Sequence, residues 1–394
     1  MQAKKYDWKV LEQSALNPVY ITTNQALITH CQHWLDLPMI AIDTEFQRVD
    51  TFYPIAGLIQ VGDDRQCYLI DPLKISDYTP LIEVFESPKV LKIIHAASED
   101  LELFKQLLGV LPKPLYDTQI AGAFLGWGFT MGLQRMLEKV LDIKIGKAET
   151  TSNWLQRPLT KKQEMYAALD VAYLAEVCLQ QVELMQSRDC YAWFLEDSVK
   201  GLEKIANVDN TRECDDYYLR FSQMWNIADY KLVALKEISR WREAESRRKN
   251  KPRNWVLKNQ SIISIINQWP INKDQLSRVD DIKADNLRED AQPILDILSS
   301  AKQLLLKEGE VEKINKPLDP LWNKRLRTIK QIGLLAVQSQ GVAPELVLRK
   351  KDLEALVRSK EQCGEYRIPE GIRGWREKLF GDELLAQLNQ YELS

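Results

Sequence analysis

Histidine is scarce in this chain, with three in 394 residues: His30, His33 and His95. The six cysteines (Cys31, Cys67, Cys178, Cys190, Cys214 and Cys363) are scattered, and none forms a Cys-x-x-Cys pair. A zinc site built from closely spaced imidazole and thiolate ligands is therefore not expected. Scattered cysteines in so long a chain fit a reducing compartment. No run approaches the roughly 20 apolar residues of a membrane span. The N-terminal MQAKKYDWKV has no apolar signal core, so a cytoplasmic protein without membrane contact is expected. No Gly-x-x-x-x-Gly-Lys-Ser/Thr phosphate loop occurs, and GWGFTMG has the wrong spacing and no preceding strand for a dinucleotide fingerprint. Neither an ATP-driven motor nor a nucleotide cofactor is expected. A basic excess is missing too: 53 Lys and Arg stand against 56 Asp and Glu, for a net charge of −3. Global charge does not point to a nucleic-acid partner, although local patches govern such binding.

What is present suffices for several cores. Hydrophobic residues make up 45% of the chain, and at about 150 residues per domain two or three domains are expected. The first half mixes strands and helices. Apolar, β-branched runs at Met39–Ile42, Ile55–Val61, Cys67–Ile70 and Val90–Ile94 read as strands, with a hairpin turn at Gly62-Asp63-Asp64-Arg65. Helical patterns follow at Asp100–Leu108, Gln119–Leu125 and Gly132–Leu141. Thr160 and Gln163 form a Thr-x-x-Gln capping box, predicting a long helix that continues through MYAALDVAYLAEVCLQQVELM. Beyond about residue 205 strand signals fade. Lys204–Arg220, with Asn207-Val208-Asp209-Asn210, reads as a linker, and Lys307–Pro320 as a second. The helical segments they delimit cover roughly Asp216–Ala291 and Leu318–Ser394.

Three places carry carboxylates in settings that need an explanation. In MIAIDTEFQ an apolar strand ends in Asp43-Thr44-Glu45, and residues i and i+2 of a strand project to one face. Two carboxylates that close repel unless a cation lies between them, and a solvated strand end is the structural alternative. In IIHAASEDLELF a strand leads into a helix with Ser98 as candidate N-cap and Glu99 and Asp100 in the first turn. Acidic residues also favour that end of a helix for its dipole alone. In the third, Tyr166 and Asp170 stand four apart on one helix face, with Asp170 in the apolar context ALDVAYL. A buried carboxylate there requires a partner, either a metal ion or a basic residue.

Taken in order, Asp-x-Glu, then Asp in a strand–helix turn, then Tyr-x-x-x-Asp on a helix resembles the DEDDy-type 3′→5′ exonuclease family. The surrounding words AIDTEF, LIQVG, CYLIDP, IIHAASEDL, YDTQIA and NWLQRPLTKKQEMYAALDVAYL are similar to its ribonuclease D branch, over about residues 15–205. LKEISRWREAESRRKNKPRNWVLKNQSIISI resembles an HRDC domain, and GVAPELVLRKKDLEAL with GWREKLFGDELLAQL looks like a divergent second copy. The resemblance implies an α/β ribonuclease H-like exonuclease domain over 1–205, a mixed sheet flanked by helices. It implies two small all-α HRDC bundles after it, over 211–295 and 318–394.

It further implies hydrolysis of RNA from the 3′ end by a two-metal-ion mechanism with release of 5′-mononucleotides. The partner would be RNA with a free 3′ end, such as tRNA precursors, and the protein a monomer. Asp43, Glu45, Asp100 and Asp170 would hold two divalent ions, Mg²⁺ or Mn²⁺, and Tyr166 would orient the attacking water. Phe46 would wedge against the terminal base, or be a core aromatic. His95, Gln60 and Arg157 would touch RNA, or be structural. The basic run Lys236–Lys258, with Trp241 and Trp255 interleaved, suits phosphate contact and base stacking. Arg247, Arg248 and Lys249 are its candidates, against the alternative of a solvated helix face. A DNA exonuclease on the same carboxylates and a non-catalytic RNA-binding protein are the rival readings.

Overall fold

The computed structural model describes residues 7–145, 152–207, 214–282, 290–309 and 311–393. Within the first linker, 208–213 lie outside this range, as does 310 in the second. Two compact units form. One comprises Met1–Gln47, Ile55–Ala206 and Asp319–Ser394, and the other Arg48–Pro54 and Asn207–Leu318.

The first unit is built on a six-stranded mixed sheet in the order β1-β4-β3-β2-β5-β6. Its strands are β1 (Val19–Ile21), β2 (Met39–Gln47), β3 (Ile55–Gly62), β4 (Cys67–Ile70), β5 (Leu91–Ile94) and β6 (Leu115–Asp117). The β2–β3 and β3–β4 pairs are antiparallel, while β1–β4, β2–β5 and β5–β6 are parallel. The expected hairpin turn joins β3 to β4. Asp63 closes it by accepting, at Oδ1, the amides of Arg65 and Gln66 at 2.8 Å each. The short strands β1 and β6 were not anticipated.

Three helices matter for the site. In chain order the helices of this unit begin α1 (Trp8–Ala15), α2 (Asn24–Trp34), α3 (Thr79–Glu86), α4 (Ser98–Leu108), α5 (Thr118–Phe124), α6 (Leu133–Leu141), α7 (Lys161–Ala172) and α8 (Leu174–Ser187), and the three are α4, which follows β5, and the successive α7 and α8. The capping box at Thr160 is present. The single long helix expected after it is broken at Tyr173, a buried residue whose hydroxyl donates to Glu12 at 2.9 Å and whose ring lies 5.9 Å from that of Trp8. This tie to the N-terminal helix Trp8–Ala15 could not be read from the apolar spacing. Ser98 does not cap α4 either: Ala97 occupies the cap without a side-chain bond.

The C-terminal residues from Asp319 belong to the same unit as the sheet. Arg376 donates to both carboxylate oxygens of Asp197, at 2.8 and 2.7 Å, and Trp375 stacks on Trp193 with centroids 4.8 Å apart. The second unit packs the helices Asp229–Lys249, Asn259–Gln268 and Ala291–Glu308 around Leu235, Ile238, Ile262, Ile266 and Leu298. It also takes in the Arg48–Pro54 connection between β2 and β3. Among the described residues no helix is long and apolar enough to cross a membrane.

Candidate active site

β2 delivers Asp43 and Glu45 from the middle of the sheet, its apolar first half (Ile40, Ala41 and Ile42) being buried. The ladder slips between Glu45 and Phe46; such a bulge bends a strand and re-aims its side chains. Opposite Asp43 on β3 stands Gln60, and directly opposed residues share a face of the sheet. Gln60 is fully buried, and neither atom of its amide has a hydrogen-bond partner. A buried polar group so placed calls for one.

Asp100 comes from the first turn of α4 and is 7% exposed, accepting a short hydrogen bond from the Thr44 hydroxyl. Its position depends on the turn His95-Ala96-Ala97, where Ala96 adopts the left-handed region at φ 62°. The carboxylate of Asp117, at the end of β6, fixes that turn by accepting the amides of Ala96 and Ala97, both at 3.0 Å. Sequence reasoning missed Asp117. Its signal lay in the word YDTQIA, where it also caps the helix Thr118–Phe124.

α7 supplies Tyr166 and Asp170. Its close approach to the sheet is permitted by Gly62, where a Cβ would stand 2.9 Å from the carbonyl oxygen of Val171. The Trp154 ring lies 6.3 Å from that of Tyr166. Gly57 makes room for the Trp154 backbone, a Cβ there falling 2.7 Å from Trp154 Cβ.

Burial raises all four carboxylates, and their charges act together on Asp43 and Glu45. Burial pushes Asp43 well above the usual carboxylate range, and the charges of Asp100, Asp170 and Glu45 push it further. Glu45 is raised to about 8 by burial and by Asp170 and Asp100. Burial raises Asp100 to about 7 against the hydrogen bond from Thr44, and Asp170 to about 7 against that from Tyr166. Tyr166 is raised by burial and by the charges of Asp170, Glu45 and Asp43. Such a cluster, with an orphaned amide on the same sheet face, fits divalent cations, which neutralise converging carboxylates. Among the described residues, the group whose ligand atoms all lie within 4.8 Å of one another is a different one, His33, Asp63 and Asp64, with His33 Nε2 3.5 Å from Asp63 and 3.7 Å from Asp64. It lies at the β3–β4 turn and shares no residue with the first.

The remaining sequence candidates separate. Phe46 is half-buried beside Glu45. His95 hydrogen-bonds Thr118 through Nδ1 at 2.9 Å, its Nε2 is buried without a partner, and burial lowers its pKa. Arg157 uses all five N–H donors within the fold: two on Asp71, and one each on the carbonyls of Trp154, Gln156 and Gly57. It clamps the Trp154 segment, leaving no donor for a phosphate. Arg247 lies 3.8 Å from Glu243, Arg248 pairs with both oxygens of Glu245, and Lys249 reaches Glu245 and Asp290 at 3.1 Å each. This part of the basic run is thus tied into ion pairs within its own unit.

Residues 18–184 match a family described as 3′-5′ exonuclease, and residues 231–298 match the HRDC domain. No second HRDC match accompanies them. Ribonuclease D of Pseudomonas paraeruginosa is 41% identical over 369 residues, covering 94% of this chain and 97% of that protein. Ribonuclease D of Haemophilus influenzae is 31% identical over 372 residues, covering 93% and 92%. The crystal structure of Escherichia coli RNase D, described as an exoribonuclease involved in structured RNA processing, superposes with a TM-score of 0.87 at 29% identity, over 95% of this chain and 99% of that one. With this likeness extending along nearly the whole length, and with an exonuclease region followed by an HRDC region, the chain belongs to the ribonuclease D family of nucleases.

Proposed function

We propose that the chain is a 3′→5′ exoribonuclease that trims the 3′ ends of tRNA precursors and other small stable RNAs, releasing 5′-mononucleotides. The observation that carries this reading is the gathering of Asp43, Glu45, Asp100 and Asp170 on neighbouring elements, where burial raises all four and the charges of the others raise Asp43 and Glu45 further. These four would hold two divalent ions, Mg²⁺ or Mn²⁺. When bound, such ions supply a more acidic water and neutralise charge at the phosphodiester.

The chain's own residues do the rest. Tyr166 stays protonated at neutral pH, because burial and the surrounding carboxylates raise it. Its hydroxyl therefore orients the attacking water by hydrogen bonding and does not remove a proton. Asp170, one turn further along the helix, would accept from that hydroxyl and fix its direction. Phe46, beside the bulge, would rest against the terminal base, whereas the buried polar atoms of Gln60 and His95 favour a structural role beside the site over contact with RNA. The HRDC unit would grip RNA, with Arg247, Arg248 and Lys249 near the contact. The helices Leu321–Ala336, Pro344–Val347, Lys350–Cys363 and Trp375–Leu393 follow the same long–short–medium–long order as Asp229–Lys249, Arg253–Val256, Asn259–Gln268 and Ala291–Glu308. Apart from the extra short helix Lys273–Ser277 in the first set, that parallel supports a divergent second HRDC copy. The protein would act as a cytoplasmic monomer.

Matched RNA and DNA strands digested side by side test the substrate class, since the 2′-hydroxyl separates them. Preferential release from RNA is expected, and equal or faster release from DNA would overturn it.

Gly62 gives a test at a residue that offers no ligand atom of its own. In Gly62→Ala the new Cβ meets the α7 backbone beside Asp170, so helix and strand must part. An ångström of misplacement is enough to lower turnover by about 10²-fold. Overpacking should also lower stability by about 1–3 kcal/mol. Rates on a 3′-tailed RNA and urea melts would read both.

A further inference from the structure

The second unit contains an open cavity of about 260 Å³ whose lining includes Arg48, Phe52, Tyr217, Arg253, Asn254 and Asn259. No acidic residue is among the described residues that line it. Its walls come from separate stretches of chain, held in fixed geometry. The amides of Phe52 and Tyr53 both donate to Asn250 Oδ1 at 3.1 Å. The Phe52 ring is buried under the guanidinium groups of Arg247 and Arg253, 4.7 and 4.8 Å from its centroid. Tyr217 lies against Arg253 and Arg242, at 5.3 and 4.8 Å.

Arg242 is the telling residue. It is fully buried, and it touches two lining residues, Tyr217 by its face and Asn259 Oδ1 through Nη1 at 2.7 Å. Its Nε and Nη2 have no hydrogen-bond partner. Tyr217 and the fully buried Glu243 already act on its charge, and the two donors left over favour a further acceptor such as an anion. Arginines supply phosphate recognition, while the exposed Asn254 and Asn259 offer amides suited to sugar and base edges. That the cavity is open favours a strand over an enclosed free nucleotide. A pocket enclosing a whole small molecule takes roughly 300–1,000 Å³, and this one is smaller and open, so it suits one group of a longer chain.

We infer that this cavity is a second phosphate site, which takes one phosphodiester and its ribose from the RNA strand being trimmed. The inference rests on the exoribonuclease reading, but its test is independent of cleavage. In the full-length protein, with calcium replacing magnesium to suppress hydrolysis, affinity for a fluorescein-labelled single-stranded RNA would be measured at several salt concentrations. Arg48→Glu should weaken binding about tenfold and lower the slope of log affinity against log salt by about one. Arg48→Lys should retain most of the affinity. Lys273→Glu, the same charge reversal at another exposed position of this unit, should stay within about twofold of wild type, as scattered surface charge contributes little. Binding of 5′-AMP, followed by calorimetry, should be the same in wild type and Arg48→Glu.

Unchanged RNA affinity in a folded Arg48→Glu protein would overturn the site, as would equal losses in Lys273→Glu, which would indicate a diffuse field. Loss of 5′-AMP binding with RNA binding retained would make the cavity a product site and overturn the strand assignment. Should Arg48→Glu fail to fold, Arg48→Gln, which removes the charge without reversing it, carries the same test. Failure of the wild type to release mononucleotides in magnesium would count against the exoribonuclease reading alone, since the calcium affinities stand without it.

Discussion

Asp43→Asn should reduce RNA hydrolysis by about 10³-fold or more. A metal ligand set supplies several kcal/mol of transition-state stabilisation, and each 1.36 kcal/mol is a factor of ten. The same substitution should make the metal-free protein more stable at pH 8. The sign follows from linkage. Glu45 sits at about 8 and Asp100 and Asp170 at about 7 in the folded chain, with Asp43 also raised, against ordinary values near 4. The metal-free native state therefore binds more protons than the unfolded chain between about pH 4 and 8, and its stability falls as pH rises through that window. Removing one charge relieves the repulsion felt by the other three. In chelator at pH 8, the melting temperature of Asp43→Asn should exceed that of wild type by a few degrees, and the gap should close towards pH 5. Mn²⁺ should raise the wild-type melting temperature more at pH 8 than at pH 6, because protons compete for the same oxygens. A variant less stable than wild type in chelator at pH 8 would mean that Asp43 is held by a partner within the fold.

Tyr166→Phe should lower turnover by about 10²–10⁴-fold, the range for a positioned proton-handling group. The ring, and its packing 6.3 Å from Trp154, is retained, so stability should change little. The Mg²⁺ concentration giving half-maximal rate should stay close to wild type. The pH–rate profile should fall in height and keep its shape, since burial and the neighbouring carboxylates raise the tyrosine above the working range. A large shift in the metal midpoint with the wild-type rate at saturation would instead make Tyr166 a ligand.

Much of the site could be read from the sequence because it lies where local patterns are strongest. Asp43 and Glu45 end an apolar strand, and Tyr166 and Asp170 share a helix face behind a complete capping box. Periodicity identifies such elements from neighbours alone. What escaped depends on residues distant in the chain. β1 and β6 are three residues each, too short to show an alternation. Ser98 had the chemistry of a cap, but Asp117, seventeen positions beyond Asp100, holds the turn before α4. The break at Tyr173 answers to Glu12 and Trp8 at the other end of the domain. Arg157 sits inside a family word, yet only its five contacts reveal it as a clamp. Likewise the basic run gave no sign that its charges would meet Glu243, Glu245 and Asp290. Nor did composition mark Arg48–Pro54, a connection between two sheet strands, as part of the helical unit.

The most direct measurement is the product pattern from a tRNA with a 3′ extension, labelled at its 5′ end, followed in Mg²⁺, in chelator, and after Mn²⁺ is restored. A ladder shortening one nucleotide at a time from the 3′ end, with 5′-mononucleotides released, arrested by chelator and resumed with metal, is the expected result. Continued shortening in chelator, or fragments arising from internal cuts, would contradict a metal-dependent 3′→5′ exonuclease site at Asp43, Glu45, Asp100 and Asp170.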